Sequence, residues 1–144
     1  MKKTLLSLLP LILFCTPSQN EASSIPGFLL GSFEDDYEIS YTISDSLFAM
    51  GDHTRIHIKE WNIQEQYFVG QNDSMNIYDP LLYSRIDWME FEDMNDFKWG
   101  FCMSAYNEAA LDSAKLVNKA NREVPTTGCG GYPFSRMKRV TNQS

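Results

Sequence analysis

The sequence predicts a mainly β domain, folded as a small antiparallel β-barrel of about seven or eight strands with one late α-helix. Short β-rich runs alternate with turn residues along most of the chain. The clearest run alternates strictly between apolar and polar residues, and only one segment carries apolar residues at helical spacing. Many short, regularly spaced strands are typical of a closed barrel or a sandwich. A length of 144 residues fits a single domain.

The predicted strands follow one another at short intervals. Residues 37–44 have a period of two, which is the pattern of a half-buried antiparallel strand. The predicted buried face of this strand consists of Tyr37, Ile39, Tyr41 and Ile43. Further strands are predicted at residues 28–33, 55–61, 66–71, 82–91, 97–106 and 132–140.

One helix is predicted before the last strand. Asn107 can cap its start, because an asparagine side chain accepts hydrogen bonds from the first free N–H groups of a helix. The apolar stripe would comprise Ala110, Leu111, Ala114, Val117 and Ala120. The helix should end before Val124 and Pro125, since proline disfavours helical backbone in the preceding residue.

The beginning of the chain has the pattern of a secretory signal. Lys2 and Lys3 precede an apolar run at residues 5–14, which is too short for the roughly 20 apolar residues of a membrane span. We expect residues 1–14 to be a signal peptide, residues 15–26 a flexible tether and residues 27–144 a single barrel-like domain.

Two cleavage positions are possible for this signal. Bacterial lipoprotein signals end directly before a cysteine that receives lipid, and Cys15 stands in that place, ahead of a polar stretch suited to a tether. The alternative is ordinary cleavage just before Ile25. Lipidation would anchor the protein to a membrane of the cell envelope, whereas ordinary cleavage would give a soluble periplasmic or secreted protein.

Charge and cysteine content restrict the partners. The formal net charge is −7, so the chain repels phosphate backbones, and we expect no nucleic-acid partner. If Cys15 is lipidated or removed, Cys102 and Cys129 remain, and two cysteines in an exported chain usually form a disulfide. We expect no metal site and no cofactor, because the acidic stretches lack a calcium-loop pattern and the two histidines have no further ligand nearby.

The ligand-binding candidates lie on the predicted strand at residues 82–91. Arg85 and Asp87 are two residues apart and therefore share a face, where they could orient a polar ligand at a barrel mouth. The alternative is a surface ion pair of little energetic value. Trp88 could line an apolar or sugar pocket, or pack in the core.

The chain resembles a group of small, uncharacterised, exported bacterial proteins, many of them lipoproteins. The resemblance rests on the order and spacing of seven stretches: residues 33–37, 43–45, 60–62, 71–73, 85–88, 99–102 and 128–135. It implies an exported domain with paired cysteines and no particular activity. The predicted architecture also resembles lipocalin-like (calycin) barrels, which implies that the barrel can enclose a small ligand.

Two function classes follow from these observations. The first is a non-catalytic domain of the cell envelope that binds a small ligand or another protein. The second is a small periplasmic or secreted hydrolase with an unrecognised site. No G-x-S-x-G motif is present, and no spacing selects Ser104, His57 and Asp87 as a triad. The absence of a catalytic motif favours the first class.

Overall fold

A computed structural model describes residues 24–141, which fold into a closed, eight-stranded antiparallel barrel. Each strand pairs with its neighbour in the sequence, and β8 closes the barrel on β1. The strands are β1 (Gly31–Glu34), β2 (Ser40–Ile43), β3 (Leu47–Met50), β4 (Thr54–Asn62), β5 (Tyr67–Asn72), β6 (Tyr83–Glu90), β7 (Phe97–Glu108) and β8 (Ser135–Arg139). The predicted mainly β barrel with one late helix is therefore confirmed. The predicted signal peptide, Cys15 and most of the tether lie outside the described residues.

The predicted register of β2 is only half right. Tyr41 and Ile43 are buried, but Tyr37 is 80% exposed and Ile39 is 39% exposed. The cause is Asp35, whose carboxylate accepts hydrogen bonds from the backbone N–H groups of Tyr37 (2.8 Å) and Ile39 (3.0 Å). These bonds fold residues 35–39 into a turn, so the strand begins at Ser40.

The helix and the last strand are both shorter than predicted. Strand β7 continues through Asn107 to Glu108, so Asn107 is a strand residue and the predicted cap is wrong. The helix α1 spans only Leu111–Leu116, and no side chain caps it. Tyr132 lies in a turn closed on Cys129, which delays the last strand to Ser135. None of the helices in residues 24–141 is long and apolar enough to cross a membrane.

One end of the barrel is closed by the segment that enters it. A 3₁₀ helix at Gly27–Leu29 places Leu29 in the core, at 2% exposure. The guanidinium of Arg139 lies 4.8 Å from the ring centre of Phe33 and donates to the carbonyl oxygens of Gly27 and Phe28. These contacts fix the 3₁₀ helix, which we call the plug, against β1 and β8. The chain therefore enters the barrel at its closed end.

Aromatic side chains fill the adjoining part of the barrel interior. The contacting rings are Phe33, Tyr41, Phe48, Trp61, Phe68, Trp88, Trp99 and Phe101. Several meet edge to face, the arrangement favoured by the quadrupoles of aromatic rings. An eight-stranded barrel is just wide enough for its side chains to fill it, and these rings leave no room for a ligand beside them.

A second layer covers the outer face of β5, β6 and β7. The connection from β7 to β8, residues 109–134, crosses this face and includes α1. Ala114 of the helix is fully buried against Tyr67 and Val69, and Leu111 packs beside them. We call residues 109–134 the covering segment. This segment buries the outer face of β6. The sheet itself separates that buried face from the aromatic core inside the barrel.

Candidate functional site

Arg85 and Asp87 share the outer face of β6, as predicted, but the covering segment buries them. Their exposures are 4% and 0%. The Nε and Nη2 atoms of Arg85 donate to the two carboxylate oxygens of Asp87 at 2.9 and 2.8 Å. Ser104 Oγ on the neighbouring β7 donates to the same carboxylate at 2.6 Å. The pair is therefore a buried, two-pronged ion pair and not a surface one.

The covering segment supplies the remaining partners of this network. Arg122 donates to Asp87 at 3.3 Å, to the carbonyl of Trp88 at 2.8 Å and to that of Gln66 at 2.8 Å. Arg85 Nη1 donates to the carbonyl oxygen of Lys115. Protein groups thus take up the hydrogen bonds that a ligand would need, and the network attaches the covering segment to the barrel. A ligand at Arg85 and Asp87 stays a prediction that this geometry does not favour.

Trp88 lies on the other side of the same strand. Its ring is 1% exposed and packs in the barrel core, 5.6 Å from the ring centre of Trp61 and 6.4 Å from that of Phe68. Alternation along β6 puts Trp88 inside the barrel and the charged pair outside. The three predicted ligand-binding residues are consequently not brought together in one pocket.

The predicted disulfide is confirmed. Cys102 on β7 is bonded to Cys129 in the covering segment, with the two Cα atoms 5.4 Å apart. Cys102 faces outward on the same side of the sheet as Asp87, its pairing partner on β6. The bond fixes the end of the covering segment a short distance before β8 begins.

The open end of the barrel holds a cavity of about 180 Å³. Its walls are mainly apolar, and its lining residues come from the last residues of β3 and β5, the inner faces of β4, β6 and β7, and the connection between β5 and β6. They are Met50, Thr54, Ile56, Asn72, Asn76, Tyr78, Asp79, Ser84, Met103 and Tyr106. We call this cavity the mouth. It lies at the opposite end of the barrel from the 3₁₀ plug.

Two buried polar side chains build one wall of the mouth. Ser84 Oγ donates to Asn72 Oδ1 at 2.6 Å, and both residues are under 5% exposed. The amide nitrogen of Asn72 donates to the carbonyl oxygens of Asp79 and Tyr106, each at 2.8 Å. Both the oxygen and the nitrogen of the Asn72 amide are therefore hydrogen-bonded to protein groups, which makes this wall rigid. The Ser84 hydroxyl oxygen can still accept a bond from a ligand.

The connection at residues 73–82, which we call the rim loop, carries a concentration of exposed apolar side chains. Met75 is 85% exposed, Ile77 62%, Tyr78 80% and Leu81 57%. Exposed apolar groups gathered in one place mark a binding surface more often than scattered ones do. The rim loop borders the mouth through Tyr78, so its apolar side chains extend the apolar surface of the cavity.

A hydrogen bond between the side chains of His57 and Asp73 holds the base of the rim loop. The imidazole Nε2 of His57 lies 2.6 Å from Asp73 Oδ2, and the backbone N–H of Met75 donates to Asp73 Oδ1 at 2.8 Å. These two hydrogen bonds lower the pKa of Asp73, the one from His57 contributing most. Asn76 adds two bonds to the backbone of Arg55. The loop is therefore fixed at its start, while its apolar side chains remain in solvent.

The structure does not assemble a hydrolytic triad from Ser104, His57 and Asp87. Ser104 contacts Asp87, but its oxygen also accepts a bond from the backbone N–H of Lys119 beneath the covering segment. His57 instead bonds Asp73 at the base of the rim loop. Within residues 24–141, no three histidine, cysteine or acidic side chains are grouped to hold a metal ion.

Sequence reasoning missed the mouth. The strand pattern leaves the stretch after residue 71 unassigned up to residue 82, yet the rim loop in this stretch exposes four large apolar side chains. A signal was present on β6, where Ser84 shares the inward face with Ile86 and Trp88. A hydroxyl among apolar inward positions requires a polar partner, and that partner, Asn72, lies on the adjacent strand.

Comparison with known protein families, curated proteins and solved structures found no significant match to this chain. The resemblance to exported bacterial proteins therefore gains no support from these comparisons.

Proposed function

We propose that this protein is a non-catalytic binding domain whose open mouth holds the apolar part of a small ligand. The observation that carries the proposal is the difference between the two barrel ends. Leu29 and the 3₁₀ helix plug one end, whereas the other opens into an apolar cavity bordered by exposed apolar side chains. Pockets that are mostly apolar, with a few fixed polar groups, are typical of small-molecule sites.

The size of the mouth limits the ligand. An apolar cavity of about 150 Å³ in a protein core can bind benzene, and the mouth measures about 180 Å³. It therefore fits one aromatic ring or a short aliphatic chain. The rest of a larger ligand would lie along the rim loop, in contact with Tyr78 and its exposed neighbours. Ser84 could accept one hydrogen bond from the buried part.

We also propose that the protein works in the cell envelope, attached to a membrane through lipid on Cys15. A disulfide between Cys102 and Cys129 suits an oxidising compartment. Because the chain enters at the plugged end, the tether would join the domain at the end opposite the mouth and leave the mouth free. The soluble periplasmic or secreted form is the alternative, and the hydrolase alternative has no described geometry in its favour.

Titration with toluene, monitored by the chemical shifts of backbone amides in NMR spectra, tests whether the mouth binds an apolar ligand. We expect saturable shifts at Ile56, Ser84 and Met103, because these residues line the cavity. The variant Met103→Trp should fill the mouth and abolish the shifts. Met94→Trp, which alters an exterior cleft, is the matched control and should leave them unchanged. Shifts spread evenly over the surface, or unaffected by Met103→Trp, would contradict the proposal.

A further inference from the structure

A second hollow lies on the outside of the barrel, away from the mouth. It has a volume of about 300 Å³, at the lower end of the range of roughly 300–1,000 Å³ typical of small-ligand sites. Its lining residues are Asp36, Phe91, Met94, Pro125, Thr126, Pro133, Phe134 and Arg136. We call it the lateral cleft. An adjoining hollow of about 210 Å³ shares four of these residues and adds the exposed rings of Tyr37 and Tyr132.

The walls of the lateral cleft are held in place by close packing and backbone hydrogen bonds. Phe91 lies against Gly100, where an added Cβ atom would approach the ring to 2.5 Å. The backbone N–H of Phe91 donates to the carbonyl of Lys98 at 2.8 Å. On the opposite wall, Phe134 is 2% exposed and its N–H donates to the carbonyl of Pro125 at 2.9 Å. The apolar walls are therefore formed before any ligand arrives.

Arg136 gives this apolar cleft a positively charged edge. Its Nε donates to Asp36 at 2.8 Å, and its guanidinium lies 4.7 Å from the ring centre of Phe97. Among residues 24–141, none accepts a hydrogen bond from its Nη1 or Nη2 atoms. The guanidinium is thus held in position by two contacts while its terminal donors remain available, and a guanidinium fork matches the two oxygens of a carboxylate.

We propose that the lateral cleft binds a small amphipathic carboxylate, with its apolar body between the two walls and its carboxylate on Arg136. A monoanion suits the site better than a phosphate dianion, because the carboxylate of Asp36 already lies against the same guanidinium. A simple cation is disfavoured, since Asp36 is paired and the remaining walls are apolar. This site shares no lining residue with the mouth and does not depend on the function proposed for it.

The test uses 4-phenylbutyrate and the uncharged 4-phenyl-1-butanol, titrated by calorimetry and mapped by amide NMR shifts. Both probes should perturb Met94, Thr126 and Arg136, and the shifts at these residues should show the carboxylate binding about threefold tighter, as expected for a partly exposed ion pair. Arg136→Gln should remove that preference and leave binding of the alcohol unchanged. Asp36→Asn should tighten carboxylate binding about threefold, because it removes a negative charge beside the guanidinium.

Two filling variants distinguish the lateral cleft from the mouth. Met94→Trp should abolish the shifts that both probes cause at Thr126 and Arg136, whereas Met103→Trp should leave those shifts unchanged and remove only binding at the mouth. If Arg136→Gln disturbs folding, Asp36→Asn still tests whether Arg136 attracts the carboxylate, because this variant retains Arg136 and removes only the neighbouring negative charge. Equal affinities for acid and alcohol, a lack of shifts at Thr126 and Arg136, or weaker carboxylate binding in Asp36→Asn would each overturn the proposal.

Discussion

The buried network around Asp87 predicts a large and specific loss of stability in Asp87→Asn. This change keeps the shape of the side chain but removes its charge and turns one acceptor into a donor, facing the donors of Arg85, Ser104 and Arg122. Breaking a buried ion pair by removing one partner costs about 3–5 kcal/mol. A domain is stable by roughly 5–15 kcal/mol, so the loss should be evident in urea unfolding.

Asp36→Asn is the matched control for this prediction. It breaks the ion pair between Asp36 and Arg136, whose side chains are 31% and 40% exposed respectively. This change should lower the free energy of unfolding by no more than about 1 kcal/mol. The double variant Arg85→Met with Asp87→Leu should regain only part of the lost stability, because it removes the buried charges but leaves the fully buried Ser104 hydroxyl without its acceptor. Equal losses in Asp87→Asn and Asp36→Asn would refute the argument that burial makes this network important.

Three further outcomes are expected. Replacing both bridge cysteines with alanine should lower the free energy of unfolding by roughly 3–4 kcal/mol through the entropy of the unfolded loop, given the sequence separation of 27 residues; urea unfolding measures this, and an unchanged value would contradict it. Ile43→Ala should cost about 2–5 kcal/mol because Ile43 is 3% exposed, whereas Ile39→Ala should lie within about 0.5 kcal/mol of the parent; thermal unfolding that ranks them otherwise would reject the observed register. The pKa of Asp73 is lowered from its ordinary value of 3.8, so its ionised carboxylate stabilises the rim loop above that pH. This stabilisation is lost as the pH falls through the lower pKa of the folded state. Amide exchange in the rim loop should therefore rise in that range, and Asp73→Asn should show no such acid transition.

The sequence pattern predicted the barrel because each strand carries its own alternation, and neighbouring strands need only short turns. It failed at Tyr37 and Ile39, since their periodicity continues that of Tyr41 and Ile43 while Asp35 folds the backbone into a turn. A hydrogen bond from one side chain to two backbone groups does not appear in the alternation of apolar residues. The early end predicted for β7 has a similar origin, because Asn107 suits a helix cap but also continues the strand.

The candidate site was less predictable because it depends on contacts between distant parts of the chain. The spacing of Arg85 and Asp87 correctly placed both on one face of a strand. Their burial, however, is caused by Arg122 and the rest of the covering segment, which lie some distance later in the sequence. The mouth has the same difficulty, since the Asn72 amide that bonds Ser84 across the β5–β6 pair also donates to the carbonyl oxygen of Tyr106, far along the chain on β7.

The distribution of side-chain size inside the barrel limits where a ligand can go. Toward the plugged end, the interior is filled by aromatic rings in mutual contact, such as Phe33 with Trp99 at 5.3 Å. Toward the open end, the inward positions hold Met50 and Met103, which are flexible and only partly buried. Under the proposed function, a ligand would enter only as far as the first aromatic layer, and the shallow mouth would recognise little more than one apolar group. Discrimination between ligands would then come mainly from the rim loop, where exposed apolar side chains rest on a base fixed by hydrogen bonds.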